Sequence, residues 1–528
     1  MPTKPTLRNL GVFLCLILLA SCTLPTKDPR ASAPPIRLVT VDPNATATPT
    51  PFQPAIESFT PSSTLTSLPT LTPLPTQTET ATPTPPPTET ATSAPTPAPV
   101  TPAPVTTRPQ YTFYVLLDYP GHQLAVDQTI QYTNLTGTAL PDIVLAVEPN
   151  LYSNSFSLET LFLDGVTPSY TLDGQRMTVT LPQALAPGDA ISLSMRYRIA
   201  IPPKRYEMPY GYLGYQVNLT DWFPFVVPYR GGWVLHDPWS FGEHLVYDSA
   251  DYDVNMKVLG DGIIVAAAAL AEENGEWTRY RLYGARTFAF SASDRFEMVE
   301  SAVGTVKIRS YYFSGHEGAG QGMLNAAVQA VALFDVKFAP YPHDSVSVVE
   351  TEVPDGQEYD GLCFLSSNFY DQYGGSNRSN MVSIGVHEIA HNWWFGLVGN
   401  DQALEPWLDE AMAVYSERIF YEFTNPNYGD WWWNFRVNYF NPSGWVDTSI
   451  YDVTTFRAYT NAAYLTGAYF LEDLRTRMGD QDFYKFLKDY ASRYSYQLVT
   501  GEDFFTVVRE DTNADISDLI QSYFQGSY

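Results

Sequence analysis

His387, Glu388, His391 and Glu410 are the residues of this chain whose types and spacing could do chemistry. On a helix, residues i and i+4 share a face, so His387 and His391 present two imidazoles to one point, with Glu388 beside them on the same rim. That is half of a metal site. Zinc takes nitrogen and carboxylate ligands in a tetrahedron, and a catalytic zinc keeps three protein ligands while its fourth corner holds water. The third ligand has to come from a neighbouring element. "EPWLDEAMAVYSERIFYE" starts a second helix, Pro406 suits its first turn, and Glu410 falls in its opening turns. One Zn2+ per chain, held by His387, His391 and Glu410, is the expected cofactor. Glu388, beside a ligand without being one, is placed to shuttle a proton. The bland alternative is a set of unrelated polar residues on a buried helix. With only 7 histidines in the chain, a chance His-Glu-x-x-His arises in roughly one sequence in a hundred or fewer.

The elements that must position these residues can be read around them. Before the motif, "TVKIRSYYF" and "DSVSVVET" have strand composition, and "GMLNAAVQAVALFDVKF" between them carries apolar positions at helical spacing. Long helical stretches follow to the end. From Gln110 to about Ser301, segments such as "YTFYVLL", "RMTVTL" and "ISLSMRYRI" are rich in β-branched and aromatic residues and are separated by turn clusters, so this part is mostly β. No internal repeat is evident.

At 528 residues the chain has room for two or three domains with their own cores. The net charge of -27 argues against nucleic acid as a partner, because phosphate binding needs clustered Lys and Arg. Lys4 and Arg8 precede an apolar run from Leu10 to Ala20 that is too short to span a bilayer, which is the pattern of a signal peptide over 1–21. Leu19-Ala20-Ser21-Cys22 resembles the bacterial lipobox, which implies a lipid on Cys22 and an extracytoplasmic protein anchored to a bacterial cell membrane. The stretch over 22–109 is Pro/Thr-rich, with too few large apolar residues for a core, and is expected to be a stalk reaching at most about 200 Å. Cys15 lies in the leader and Cys22 is the lipid site, so Cys363 is left alone and is expected to be a buried small hydrophobe.

At His387, Glu388, His391 and Glu410 the chain resembles the gluzincin aminopeptidases, the aminopeptidase N family, whose signature is His-Glu-x-x-His, eighteen residues, then Glu. "WWFGLVGND" and "WLDEAMAVYSE" are similar to the family's flanking segments, with Asp409 in place of the usual Asn. "DGQEYDGL" stands where the family has Gly-x-Met-Glu-Asn, with Gln357 for Met and Tyr359 for Asn. "YLTGAYFLEDL" aligns Tyr464 with the family's catalytic tyrosine, and Thr466 replaces a lysine. The resemblance implies a multidomain α+β fold: a β-rich, saddle-like N-terminal domain (110–302), then a thermolysin-like, mainly helical zinc peptidase domain (303–528). It implies peptide substrates, Tyr464 stabilising the oxyanion, and Glu358 anchoring the substrate α-amine by charge-assisted hydrogen bonds. Many members continue into a helical C-terminal domain that closes over the site, so a more open cleft is expected here.

Glu417 shares a helix face with Glu410 and is a candidate acceptor for an imidazole N–H, with a surface acid as the blander alternative. His122, His236, His244, His316 and His343 show no paired spacing and are expected to be structural or exposed. "WWWNF" at Trp431 to Phe435 is expected to pack the helical layer. The leading expectation is a zinc aminopeptidase. A zinc endopeptidase of the same class, and an inert surface-displayed binding protein on the same fold, are the alternatives.

Overall fold

The computed structural model describes residues 106–204 and 209–528. Cys22, the leader and nearly all of the stalk lie outside the described residues. Among those described, no helix is long and apolar enough to cross a membrane.

Alternation builds the β-rich part. In Gln110–Asp118 every second residue, Tyr111, Phe113, Val115 and Leu117, turns inward. This strand is central to a seven-stranded sheet, parallel to Ala250–Leu259 and antiparallel to Gln123–Thr133. Two four-stranded sheets complete the domain. Fully buried Trp222 joins the layers, with Phe113, Phe223 and Phe290 at ring-centroid distances of 5.1, 5.0 and 5.8 Å. Contacts begin a few residues before 110: the Thr106 N–H donates to Thr133 Oγ1 at 2.8 Å and Arg108 Nε to Asp251 Oδ1 at 3.1 Å.

The second half opens on a five-stranded mixed sheet in the order Phe296–Val303, Val306–Phe313, Ser345–Thr351, Leu362–Ser366, Gly356–Tyr359. Its first strand spans the expected boundary at 302/303, because it forms a hairpin with Val306–Phe313, so the sheet starts at Phe296. Helix α1 (Glu317–Lys337) makes the crossover between two parallel strands. Gly356–Tyr359 is the antiparallel edge strand and pairs Glu358 with Cys363. Cys363 is wholly buried.

Two helices then carry the motif. Helix α2 (Asn380–Ala390) is capped by Ser379, whose side chain accepts from the Val382 N–H, and every residue from Met381 to Ala390 is buried. Helix α3 (Trp407–Thr424) follows a loop and a short strand, Val398–Asn400, which pairs in parallel with Gln497–Val499. Helix α4 (Gly467–Met478) packs on α3, and α5 (Asp480–Arg493) and α6 (Gly501–Asp511) reach it through the ring pairs Tyr415–Phe483 and Trp407–Phe504. Trp407 at the start of α3 is fully buried and ringed by Phe504, Phe524, Phe505 and Phe470 at 4.9–6.2 Å. Those rings hold the helix end one turn before Glu410.

Trp407→Ala is therefore expected to cost about 3–5 kcal/mol of stability and to loosen Glu410. Denaturant unfolding of the two proteins checks this, and a loss under about 1 kcal/mol would show that the aromatic ring does not anchor the helix.

Candidate active site

Helix α2 ends at His391, which is still helical (φ −61°, ψ −16°), so His387 and His391 remain one turn apart. Their Nε2 atoms lie 3.1 Å from each other. Glu410 Oε2, from the first turns of α3, is 3.2 Å from His387 Nε2 and 3.5 Å from His391 Nε2. All three side chains are buried.

The opposite ring nitrogens set the tautomers. His391 Nδ1 is 2.9 Å from the Trp394 carbonyl, which can only accept, so Nδ1 carries the proton. His387 Nδ1 is 3.1 Å from Glu417 Oε1. Although burial raises the Glu417 pKa, Arg436 and His387 outweigh it and pull it down to about 2. The His387 Nδ1 therefore also donates. With the rings neutral, two Nε2 lone pairs and a carboxylate oxygen face one another, a set that becomes favourable when a proton or a metal cation lies between them. A tetrahedron with arms of about 2.0–2.1 Å has edges of about 3.3–3.4 Å, so separations of 3.1–3.5 Å fit a zinc ion. The electrostatics agree. Burial alone would lower the His391 pKa, but Glu358 and Glu410 raise it well above the usual value, so the cavity favours positive charge.

Glu417 is a wholly buried anchor, not a surface acid. It accepts from Ser383 Oγ, from Trp432 Nε1 at 2.9 Å, and from the Arg436 fork at 2.9–3.1 Å. Trp432 thus does more than pack the helical layer. Arg436 and Trp432 escaped sequence reasoning, since neither has a fixed spacing from the motif.

Glu388 lies one residue beyond His387, with Oε2 buried and lacking a hydrogen-bond partner among the described residues. Burial and Glu358 push its pKa well above the usual carboxylate range. The edge strand passes so close that a Cβ on Gly356 would sit 2.2 Å from Glu388 Oε1, so any side chain there would displace the Glu388 carboxylate. Tyr464 lies in a π-helical turn, Thr460–Thr466, and its hydroxyl donates to Glu410 Oε1 at 2.6 Å.

Glu358 is buried on the edge strand. Its two oxygens accept from Gln402 Nε2 at 3.1 Å and Gln357 Nε2 at 2.7 Å. Gln357 Nε2 also reaches Glu243 Oε1 at 3.2 Å. The residue standing for the family's Met thus joins two carboxylates, one from each domain. Glu243, Glu358 and Glu410 each place a carboxylate oxygen within 4.8 Å of the other two. Burial, followed by Glu358, pushes the Glu243 pKa well up. Nothing in the sequence around Glu243 announces this position. Asp409, in place of the family's Asn, is raised well above the carboxylate range by burial and Glu410.

The other histidines lie outside this cluster. His122 stacks on Tyr212, and His236, His244, His316 and His343 pair with Asp401, Glu148, Glu350 and Asp360.

The peptidase family M1 domain matches residues 332–523. Aminopeptidase M1-B of Oryza sativa subsp. japonica is 26% identical over 246 residues, 43% of this chain and 28% of that protein. Endoplasmic reticulum aminopeptidase 1 of Mus musculus is 26% identical over 232 residues, 41% of this chain and 25% of that protein. The chain thus spans 25–31% of the length of these and similar relatives. The M1 zinc metallopeptidase of Deinococcus radiodurans superposes with a TM-score of 0.58 at 19% identity, covering 80% of this chain and 94% of that one. The β-rich domain followed by a mainly helical domain has the fold of that two-domain structure, and residues 332–523 match the peptidase family M1 domain. The resemblance to the gluzincin aminopeptidases holds.

Glu417→Gln removes the charge that faces both His387 and Arg436. Metal affinity is expected to fall about 10–100-fold and stability by about 3–5 kcal/mol, read by chelator competition and by denaturant unfolding. If both stay at the wild-type value, Glu417 does not orient His387.

Proposed function

We propose that the chain is a zinc-dependent aminopeptidase, with zinc held by His387, His391 and Glu410. The observation that carries this is the pairing of a cation-sized gap, with edges of 3.1–3.5 Å, and an adjoining carboxylate pocket formed by Glu358 and Glu243. Zinc, when bound, supplies Lewis acidity toward a carbonyl and toward water.

Glu388 takes the proton of the attacking water and hands it to the leaving amine. Its raised pKa bears on the second task, since a carboxyl with a pKa nearer neutral can still hold the proton it must hand over. Tyr464 is a donor poised at the rim. Its hydroxyl leaves Glu410 Oε1 and turns to the oxygen on which charge develops, a contact typically worth about 2.7–4 kcal/mol of barrier. Glu358 receives the free α-ammonium, held in place by Gln402 and Gln357, and Glu243 adds a second acceptor from the β-rich domain. Buried carboxylates of this kind disfavour a substrate that lacks the ammonium group, because its approach leaves them unpaired.

Peptides with free N-termini are expected to be cleaved from that end, and their N-acetylated counterparts to resist. Glu388→Ala is expected to lower turnover by about 10²–10⁴-fold while keeping its zinc, as measured by metal analysis on the same preparations. Internal cleavage of acetylated peptides would instead mark an endopeptidase.

We also propose that Cys22 carries a lipid that anchors the enzyme at the outer face of a bacterial cell membrane. The support is Leu19-Ala20-Ser21-Cys22 after a short apolar run. Cys22→Ser is expected to move the protein from the membrane fraction to the soluble one. Continued retention in the membrane pellet after a salt and carbonate wash would count against lipid attachment.

A further inference from the structure

Arg286 belongs to the β-rich domain, in the turn between strands Trp277–Ala285 and Phe290–Ser293, yet its side chain is fully buried against the catalytic domain. Its guanidinium donates to three main-chain carbonyls: Nε to Phe395 at 2.6 Å, Nη1 to Tyr247 at 2.8 Å and Nη2 to Gln497 at 2.7 Å. Among the described residues no carboxylate touches the guanidinium. The nearest charged bond is through its backbone, whose N–H donates to Asp360 Oδ2 at 2.9 Å. Asp360 and Asp248 lie near enough to favour its charge, but its three guanidinium hydrogen bonds all go to main-chain carbonyls, so what it fixes directly is backbone geometry.

One of those carbonyls sits at a special place. Phe395 has φ +127°, a backbone region that a side chain other than glycine's tolerates poorly. It follows Trp394, whose carbonyl accepts from His391 Nδ1. The carbonyl that orients the metal-facing imidazole and the carbonyl that Arg286 grips therefore belong to consecutive peptides, joined at the strained Phe395 Cα. Hydrogen bonds from Gly396 N–H to His391 O (2.8 Å) and from Val398 N–H to Trp393 O (2.9 Å) close the same turn. The fit is tight on the other side too: a Cβ on Gly399 would lie 2.2 Å from Arg286 Cζ. Any side chain there would displace the guanidinium.

We propose that Arg286 is a positioning residue of the metal centre, supplied by the β-rich domain. It holds Phe395 in its strained conformation, and so keeps the Trp394 carbonyl aimed at His391 Nδ1 and the His391 Nε2 lone pair aimed at the metal. This rests on the zinc reading above and extends it: the metal site is completed across the domain boundary by a residue that touches neither metal nor substrate. Arg230 is the internal comparison. It also comes from the β-rich domain and bonds the same C-terminal strand, through Leu498 O at 3.0 Å, but among the described residues no hydrogen bond joins it to the turn after His391.

The test compares full-length wild type, Arg286→Gln, Arg286→Lys and Arg230→Gln. Zinc loss to a competing chelator is followed for each, together with the visible spectrum of the cobalt-substituted protein and thermal unfolding. Arg286→Lys keeps a cation in the cavity but cannot reach three carbonyls at once, so it decides the matter if Arg286→Gln fails to fold. Zinc loss about 10-fold or more faster in the Arg286 variants, a cobalt spectrum shifted from that of wild type, and wild-type behaviour in Arg230→Gln would support the proposal. Wild-type zinc retention and cobalt spectrum in folded Arg286→Lys would overturn it, as would equal losses in Arg230→Gln and Arg286→Lys. A wild-type protein that holds no zinc would overturn the metallopeptidase reading and this inference with it.

Discussion

Three lone pairs, on His387 Nε2, His391 Nε2 and Glu410 Oε2, converge at 3.1–3.5 Å inside a buried pocket. With both rings neutral such a convergence calls for a proton or a metal cation between them, and much of the surrounding structure maintains it. The Trp394 carbonyl and the Glu417 carboxylate take the opposite imidazole protons and so deny the rings any other tautomer. Arg436 and Trp432 hold Glu417, and the aromatic ring around Trp407 holds the helix that carries Glu410. The catalytic helices are buried along almost every face, which leaves the ligands little freedom to swing apart.

Negative charge is the second organising feature. Glu243, Glu358, Glu388, Asp409 and Glu410 crowd one buried region, and burial drives four of them toward the protonated form while Glu410 is pulled down to about 2 by His391 and His387. The division follows proximity to the imidazoles. A carboxylate that pairs with them stays ionised, and its neighbours then carry the cost of like charge. This sets apart an ionised carboxylate from neighbours that hold a proton more readily, among residues of the same chemical type. The glutamine amides of Gln357 and Gln402 make the remaining acids tolerable and aim them into one pocket.

The departures from the family pattern become intelligible in three dimensions. Gln357 bridges Glu358 and Glu243, burial and Glu410 push the Asp409 pKa up, and Tyr359 packs against Phe364 with ring centroids 6.0 Å apart. The strand Phe296–Val303 goes with the catalytic sheet because hairpin pairing outranks the composition change that placed the boundary at 302/303. Composition marks where a chain changes character, whereas hydrogen bonding decides which sheet a strand joins.

Residues close in sequence declare themselves through periodicity. The i, i+4 histidines, Glu388 between them and Glu410 on the next helix were legible from spacing alone, as were the alternating strands of the first domain, because helix and strand geometry place such residues without help from the rest of the chain. Glu358 and Tyr464 were legible only through resemblance, since nothing local connects an edge strand or a π-helical turn to a helix far along the chain. Glu243, Gln402, Arg436, Trp432 and Arg286 were decided by tertiary structure. Their roles depend on a side chain meeting a partner distant in sequence inside a buried space, where an unpaired charge or carbonyl is costly, and no pattern of neighbouring letters records that meeting.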